Sequence, residues 1–106
     1  MKIKLDGHEI AILYVMKMVG AANSADLTQI FEDAQIIEYF FGIDILHDFE
    51  KQGFVEQQEN GLKITQKGLE ICEFYGKKLP SEIKEKIEKS CGKIMGEKNG
   101  KEKFIN

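Results

Sequence analysis

Apolar residues recur along this chain at helical spacing over five stretches, and a short stretch between the third and fourth reads as strands. Asp6 with Glu9 forms a capping-box pattern, and from Ile10 to Val19 only Lys17 is strongly polar, so the first helix is apolar nearly all round. Such a helix must be covered on more than one side. Gly20-Ala21-Ala22 ends it, and Asn23 or Ser24 caps a second helix that carries Leu27, Ile30, Phe31 and Ala34 on one face. A third helix is predicted from about Phe40 to Gln52, burying Phe41, Ile45, Leu46 and Phe49 and stopping at Gly53.

Phe54 to Gln58 and Leu62 to Thr65 read as two strands, with Asn60-Gly61 supplying two positive φ angles for a tight hairpin. Thr65 caps a fourth helix reaching to about Lys78. Pro80 with Ser81 opens a fifth, striped by Ile83, Ile87, Cys91 and Ile94, with Glu82/Lys86 and Glu85/Lys89 as exposed pairs one turn apart. From Gly96 onward the residues are charged and unpatterned. The expected fold class is therefore mainly α with a small β-hairpin (α+β), one domain over residues 1–95 and a flexible charged tail over 96–106.

With 106 residues, 42% of them hydrophobic and 31% charged, the chain can build one core but not two. The longest apolar run, Ile10 to Met16, is well below the ~20 residues of a membrane span, and no cleavable apolar leader is evident at Met1 to Asp6, so a cytoplasmic location without membrane contact is expected. Charge is unevenly divided. Residues 1–60 hold four lysines against eleven acids, a balance of −7, whereas residues 61–106 hold eleven against seven, +4. All fifteen basic residues are lysine, and the absence of arginine removes the side chain best shaped for bidentate reading of guanine.

The order helix, helix, helix, hairpin, helix, taken with particular residues, resembles the winged helix-turn-helix superfamily over residues 8 to 90. Leu46-His47-Asp48-Phe49-Glu50-Lys51-Gln52-Gly53-Phe54-Val55 resembles the end of a recognition helix running into a wing. Ile64-Thr65-Gln66-Lys67-Gly68 is similar to the segment after the wing in PadR-like and MarR-like repressors. Glu73-Phe74-Tyr75 through Leu79-Pro80-Ser81-Glu82-Ile83-Lys84 looks closest to an uncharacterised bacterial family of small winged-helix proteins of unknown function. The resemblance implies a winged helix with two extra C-terminal helices, and a DNA-binding transcriptional regulator acting as a homodimer.

On that reading Ile43, Asp44, His47 and Lys51 are the recognition-helix candidates, and Gln57, Gln58, Asn60 and Lys63 the wing candidates. Asp44, Asp48 and Glu50 against one lysine oppose phosphate, so two other readings stand beside it: a solvated acidic helix, or a winged-helix protein-interaction module that binds no DNA directly. Excess apolar surface on the first and fourth helices predicts a dimer interface of Leu13, Tyr14, Phe74, Tyr75, Ile83 and Ile87, the alternative being that the fifth helix covers this surface within one chain. A small-ligand pocket near Tyr14, Met16 and Tyr75 is a third functional reading. His8, His47, Cys72 and Cys91 lack the spacing of a metal site, and no phosphate loop or catalytic constellation is present, so no metal, no cofactor and no enzymatic activity are expected.

Overall fold

A computed structural model describes residues 5–36 and 39–105, with side chains over 5–36 and 42–96. The elements run α1 (Gly7–Val19), β1 (Ala21–Ala22), α2 (Ser24–Asp33), α3 (Tyr39–Gln52), β2 (Val55–Gln58), β3 (Gly61–Ile64), α4 (Gln66–Gly76) and α5 (Ser81–Ile105). The fold is mainly helical with a small antiparallel sheet of order β1-β3-β2, an α+β winged helix with two extra C-terminal helices.

Local chemistry sets most boundaries. The Asp6 carboxylate accepts the Glu9 N–H at 2.9 Å while Glu9 accepts the Asp6 N–H at 3.0 Å, satisfying two of the orphan donors that open α1. Asn23 caps α2 by accepting the Asp26 N–H at 2.8 Å. The α2 and α3 helices end alike: the Ile36 N–H reaches the Phe31 carbonyl at 3.1 Å and the Phe54 N–H reaches Phe49 at 2.8 Å, each past one left-handed residue. In α3 that residue is Gly53, at φ 82°. In α2 it is Gln35, at φ 56°.

The Ile64-Thr65-Gln66-Lys67-Gly68 segment has a physical basis here. The Thr65 hydroxyl accepts the Gly68 N–H at 3.0 Å, capping α4, and donates to the Gly53 carbonyl at 2.6 Å, tying the start of α4 to the end of α3. Lys67 lies over the Phe54 ring and donates to the Gln52 carbonyl at 2.9 Å. A Cβ at Gly68 would collide with the Phe54 carbonyl oxygen.

Three expectations are corrected. Ala21–Ala22, expected only to end α1, forms a third strand: Ala21 pairs with Lys63 and Ala22 with Leu62. The hairpin closes at Gln58 opposite Gly61, so Glu59 and Asn60 form the turn, and Gln35 is the one non-glycine with positive φ among the described residues. Gly61 does take a positive φ, 132°, and a Cβ there would in addition collide with the Ala22 carbonyl of β1. Neither Glu82/Lys86 nor Glu85/Lys89 closes an ion pair; the pair recorded among the described residues is Lys93 with Asp33, at 3.3 Å. The charged stretch after Gly96 continues α5 to Ile105, in keeping with the helix propensity of its lysines and glutamates. The burial expected of Phe41, and the tail side chains from residue 97 on, lie outside the described residues.

The core forms around α1. Ile12, Leu13, Val15 and Met16 are fully buried, together with Leu27, Ile30, Phe31, Phe49, Phe54 and Ile87, and α4 and α5 pack along α1. The nearly all-apolar first helix is thus largely covered by its own chain, with Met18 left 43% exposed. No helix of the described residues is long and apolar enough to cross a membrane.

Candidate macromolecule-binding surface

Burial of Ile45, Leu46 and Phe49 fixes the inward face of α3 and turns its other residues outward. Asp44, His47, Asp48 and Lys51 are exposed and Ile43 is half-buried. In the hairpin, Val55 and Ile64 pair and point into the core, so strand alternation puts Gln57 and Leu62 on that same face and Glu56 with Lys63 on the other. The wing candidates therefore divide.

Gln57 joins α3. Ile43, His47 and Glu50 of α3, Gln57 and Leu62 of the wing and Ser24 at the start of α2 line one small cleft of about 130 Å³. Of the eight residues read from the sequence, this cleft unites Ile43, His47 and Gln57. Lys63 faces away from it and lies opposite Glu56 across the strands, and Gln58 donates to the same Glu56 carboxylate at 3.1 Å. A cross-strand pair of opposite charge is worth about 0.2–1 kcal/mol, so the one wing lysine already has an acidic neighbour. Gln58 and Asn60 line a separate depression at the wing tip with Glu59 and Gly61. Asp44 and Lys51 line neither recess. Ser24, Glu50 and Leu62 were missed by the sequence reading, although the strand period applied to Leu62 opposite Gln57 points to the last of them.

The electrostatics of this face are acidic. Among 39–52 three acids oppose Lys51, and among 55–64 two oppose Lys63, a combined balance of −3. α2 carries Asp26 in its first turn and no lysine, while its last residue, Asp33, pairs with Lys93 of α5. The lysine surplus lies instead on the turn after α4, with Lys77 and Lys78, and on α5, which holds seven lysines against five glutamates.

The residues assigned to a dimer interface are placed differently from that expectation. Leu13 and Ile87 are fully buried within the single chain, because α5 lies along α1 and covers it. Tyr14 is half-buried and its hydroxyl donates to Glu88 of α5 at 2.8 Å; burial, then this contact with a carboxylate, pushes its pKa up to about 12. Ile83 is half-buried. Only Phe74, 65% exposed, stands out from the surface, its ring meeting Tyr75 edge-on at 5.0 Å.

Cys72 and Cys91 are buried and free, and desolvation raises both thiols, that of Cys91 to about 11. Such thiols are poor nucleophiles at neutral pH. Among the described residues no group of three or more His, Cys, Asp or Glu side chains converges on a point that could hold a metal ion.

Fold and surface together define a small winged-helix domain with an acidic helix-and-wing face. The chain belongs to the family described as "Domain of unknown function (DUF4364)", which it matches over residues 8–104. No curated protein and no solved structure gives a match.

Proposed function

We propose that the protein is a winged-helix regulatory module that docks a basic protein surface on the face formed by α3 and the wing. The −3 balance of α3 and the wing carries this reading, since phosphate neutralisation dominates DNA affinity and, with Glu56 and Lys63 turned away, one lysine, Lys51, stands among four acids. Ile43 supplies an apolar anchor at the cleft, His47 and Gln57 supply hydrogen-bonding groups, and Asp44 and Asp48 supply charge complementary to lysine or arginine. The second reading is a transcriptional regulator bound to duplex DNA. It is favoured by the layout itself, in which Ile43, Asp44, His47 and Lys51 project from successive turns of α3 beside the wing, as a groove-reading helix requires. Self-association through the exposed Phe74 is compatible with either and leaves α3 free.

Two titrations distinguish the readings. Fluorescence anisotropy with duplex DNA at ~50 mM salt should give no binding, whereas a lysine-rich amphipathic helical peptide should shift the amide resonances of Ile43, Asp44, His47 and Gln57. Asp44→Asn/Asp48→Asn should weaken the peptide complex. Salt-sensitive DNA binding by the wild type, tightened by the same double substitution, would instead establish the DNA reading.

A further inference from the structure

A large recess at the start of α1 includes neither Tyr14, Met16 nor Tyr75, the residues read from the sequence as a ligand site. It is a cavity of about 710 Å³ between the start of α1, the segment that follows α2, and the turn from α4 into α5. That volume falls in the range of small-molecule sites, roughly 300–1,000 Å³. Its floor is apolar: Ile10, Ala11, Ile36, Leu79 and Ile83 line it, and all five also pack on the core. Its rim is cationic. Lys78 and Lys86 stand at the edge with His8, and the opposing acid is Asp6, whose carboxylate already accepts the Glu9 N–H in the α1 cap.

Lys86 is exposed and makes no hydrogen bond or ion pair among the described residues, and Lys78 approaches only the Tyr75 ring, at 5.3 Å. An apolar floor with two cations at its mouth is complementary to a molecule with a hydrocarbon body and an anionic head. Hydrophobic burial would supply the affinity, and the lysines would set orientation and select for charge.

We propose that this cavity binds a small amphipathic carboxylate, its chain against Ile10, Leu79 and Ile83 and its carboxylate between Lys78 and Lys86. The site is independent of the α3 and wing face, so either assignment can fail without the other. Ala34, Gln35 and Ile36, which line one wall, follow α2 and lead towards α3.

Calorimetric titration of the full chain with decanoate, and with decanol as the uncharged probe of equal chain length, tests the assignment. Decanoate should bind at one saturable site per chain and more tightly than decanol. Lys78→Gln/Lys86→Gln, both surface changes, should weaken decanoate by about fivefold and leave decanol unaffected. Ile83→Trp should fill the cavity and abolish binding of both. If decanoate fails to saturate below about 1 mM, or if decanoate and decanol bind alike to wild type and to the lysine variant, the assignment is overturned. Amide shifts on binding should fall at Ile10, Ala11 and Leu79, and shifts confined to other residues would overturn it equally, even if Ile83→Trp failed to fold.

Discussion

The Ser90 hydroxyl donates a 2.6 Å hydrogen bond to the Asp33 carboxylate, locking the last residue of α2 onto α5 across 57 positions of sequence. Ser90 is buried, and Lys93 one turn on donates to the other oxygen of Asp33 at 3.3 Å. These two residues hold the helix before α3 against the C-terminal helix.

This clasp should make stability depend on acid. The Ser90 hydrogen bond first, then the Lys93 hydrogen bond, hold the Asp33 carboxyl below its ordinary value of 3.8. A carboxyl depressed in the folded state stabilises the fold above its unfolded value, and the benefit is lost as pH falls through the folded value. Asp33→Asn should therefore melt below wild type at pH 7. The gap should begin to narrow as the pH drops below 3.8 and close only below the depressed folded value, and a gap that never narrows would place the effect outside this carboxylate.

The same substitution at two glycines should act with opposite sign. Gly68→Ala drives a methyl into the Phe54 carbonyl and should cost about 1–3 kcal/mol in urea unfolding. Gly92→Ala, within α5 and facing open space, should add about 0.5–1 kcal/mol through helix propensity. A neutral Gly68→Ala would mean that the start of α4 is not seated against Phe54.

Gln35 occupies the left-handed position that glycine fills at Gly53. Relieving the crowding of its Cβ should make Gln35→Gly more stable by about 0.5–1 kcal/mol, despite the added freedom of the unfolded chain. Thermal melts check this directly. A loss of stability would show that the Gln35 side chain contributes more than its backbone conformation costs.

Leu13 and Phe74, both assigned to a subunit interface from the sequence, should now behave differently. Leu13 is fully buried in one chain, so Leu13→Ala should cost about 2–5 kcal/mol through the cavity it opens, at any protein concentration. Phe74→Glu should leave the melting temperature of a dilute sample unchanged. If Phe74 mediates self-association, sedimentation will show wild type above the 12.1 kDa monomer mass and Phe74→Glu at it. A wild type that is monomeric throughout the micromolar range would remove the dimer.

Much of this molecule is local chemistry, and that part was legible in the sequence. The capping box at Asp6 and Glu9, the stop at Gly53, the Thr65 cap and the apolar stripes of α2, α3 and α5 each depend on residues within a turn or two of one another, so spacing alone specified the helices and their inward faces. The outward set on α3 followed by subtraction. What spacing could not carry was decided by segments distant in sequence. Ala21–Ala22 is a strand only because β3 passes beside it, and a two-residue strand has no period to detect. Gly61 takes the positive φ that Asn60-Gly61 suggested, but the close approach of β1 that it also permits could not be read from the turn. The apolar girdle of α1 told that several surfaces must cover it but not whose, and packing assigned them to α4 and α5 of the same chain. Charge was countable along the sequence, yet only the register that sets Lys63 opposite Glu56 turns that lysine away from His47, because strand alternation converts a single step in pairing into the opposite side of the sheet.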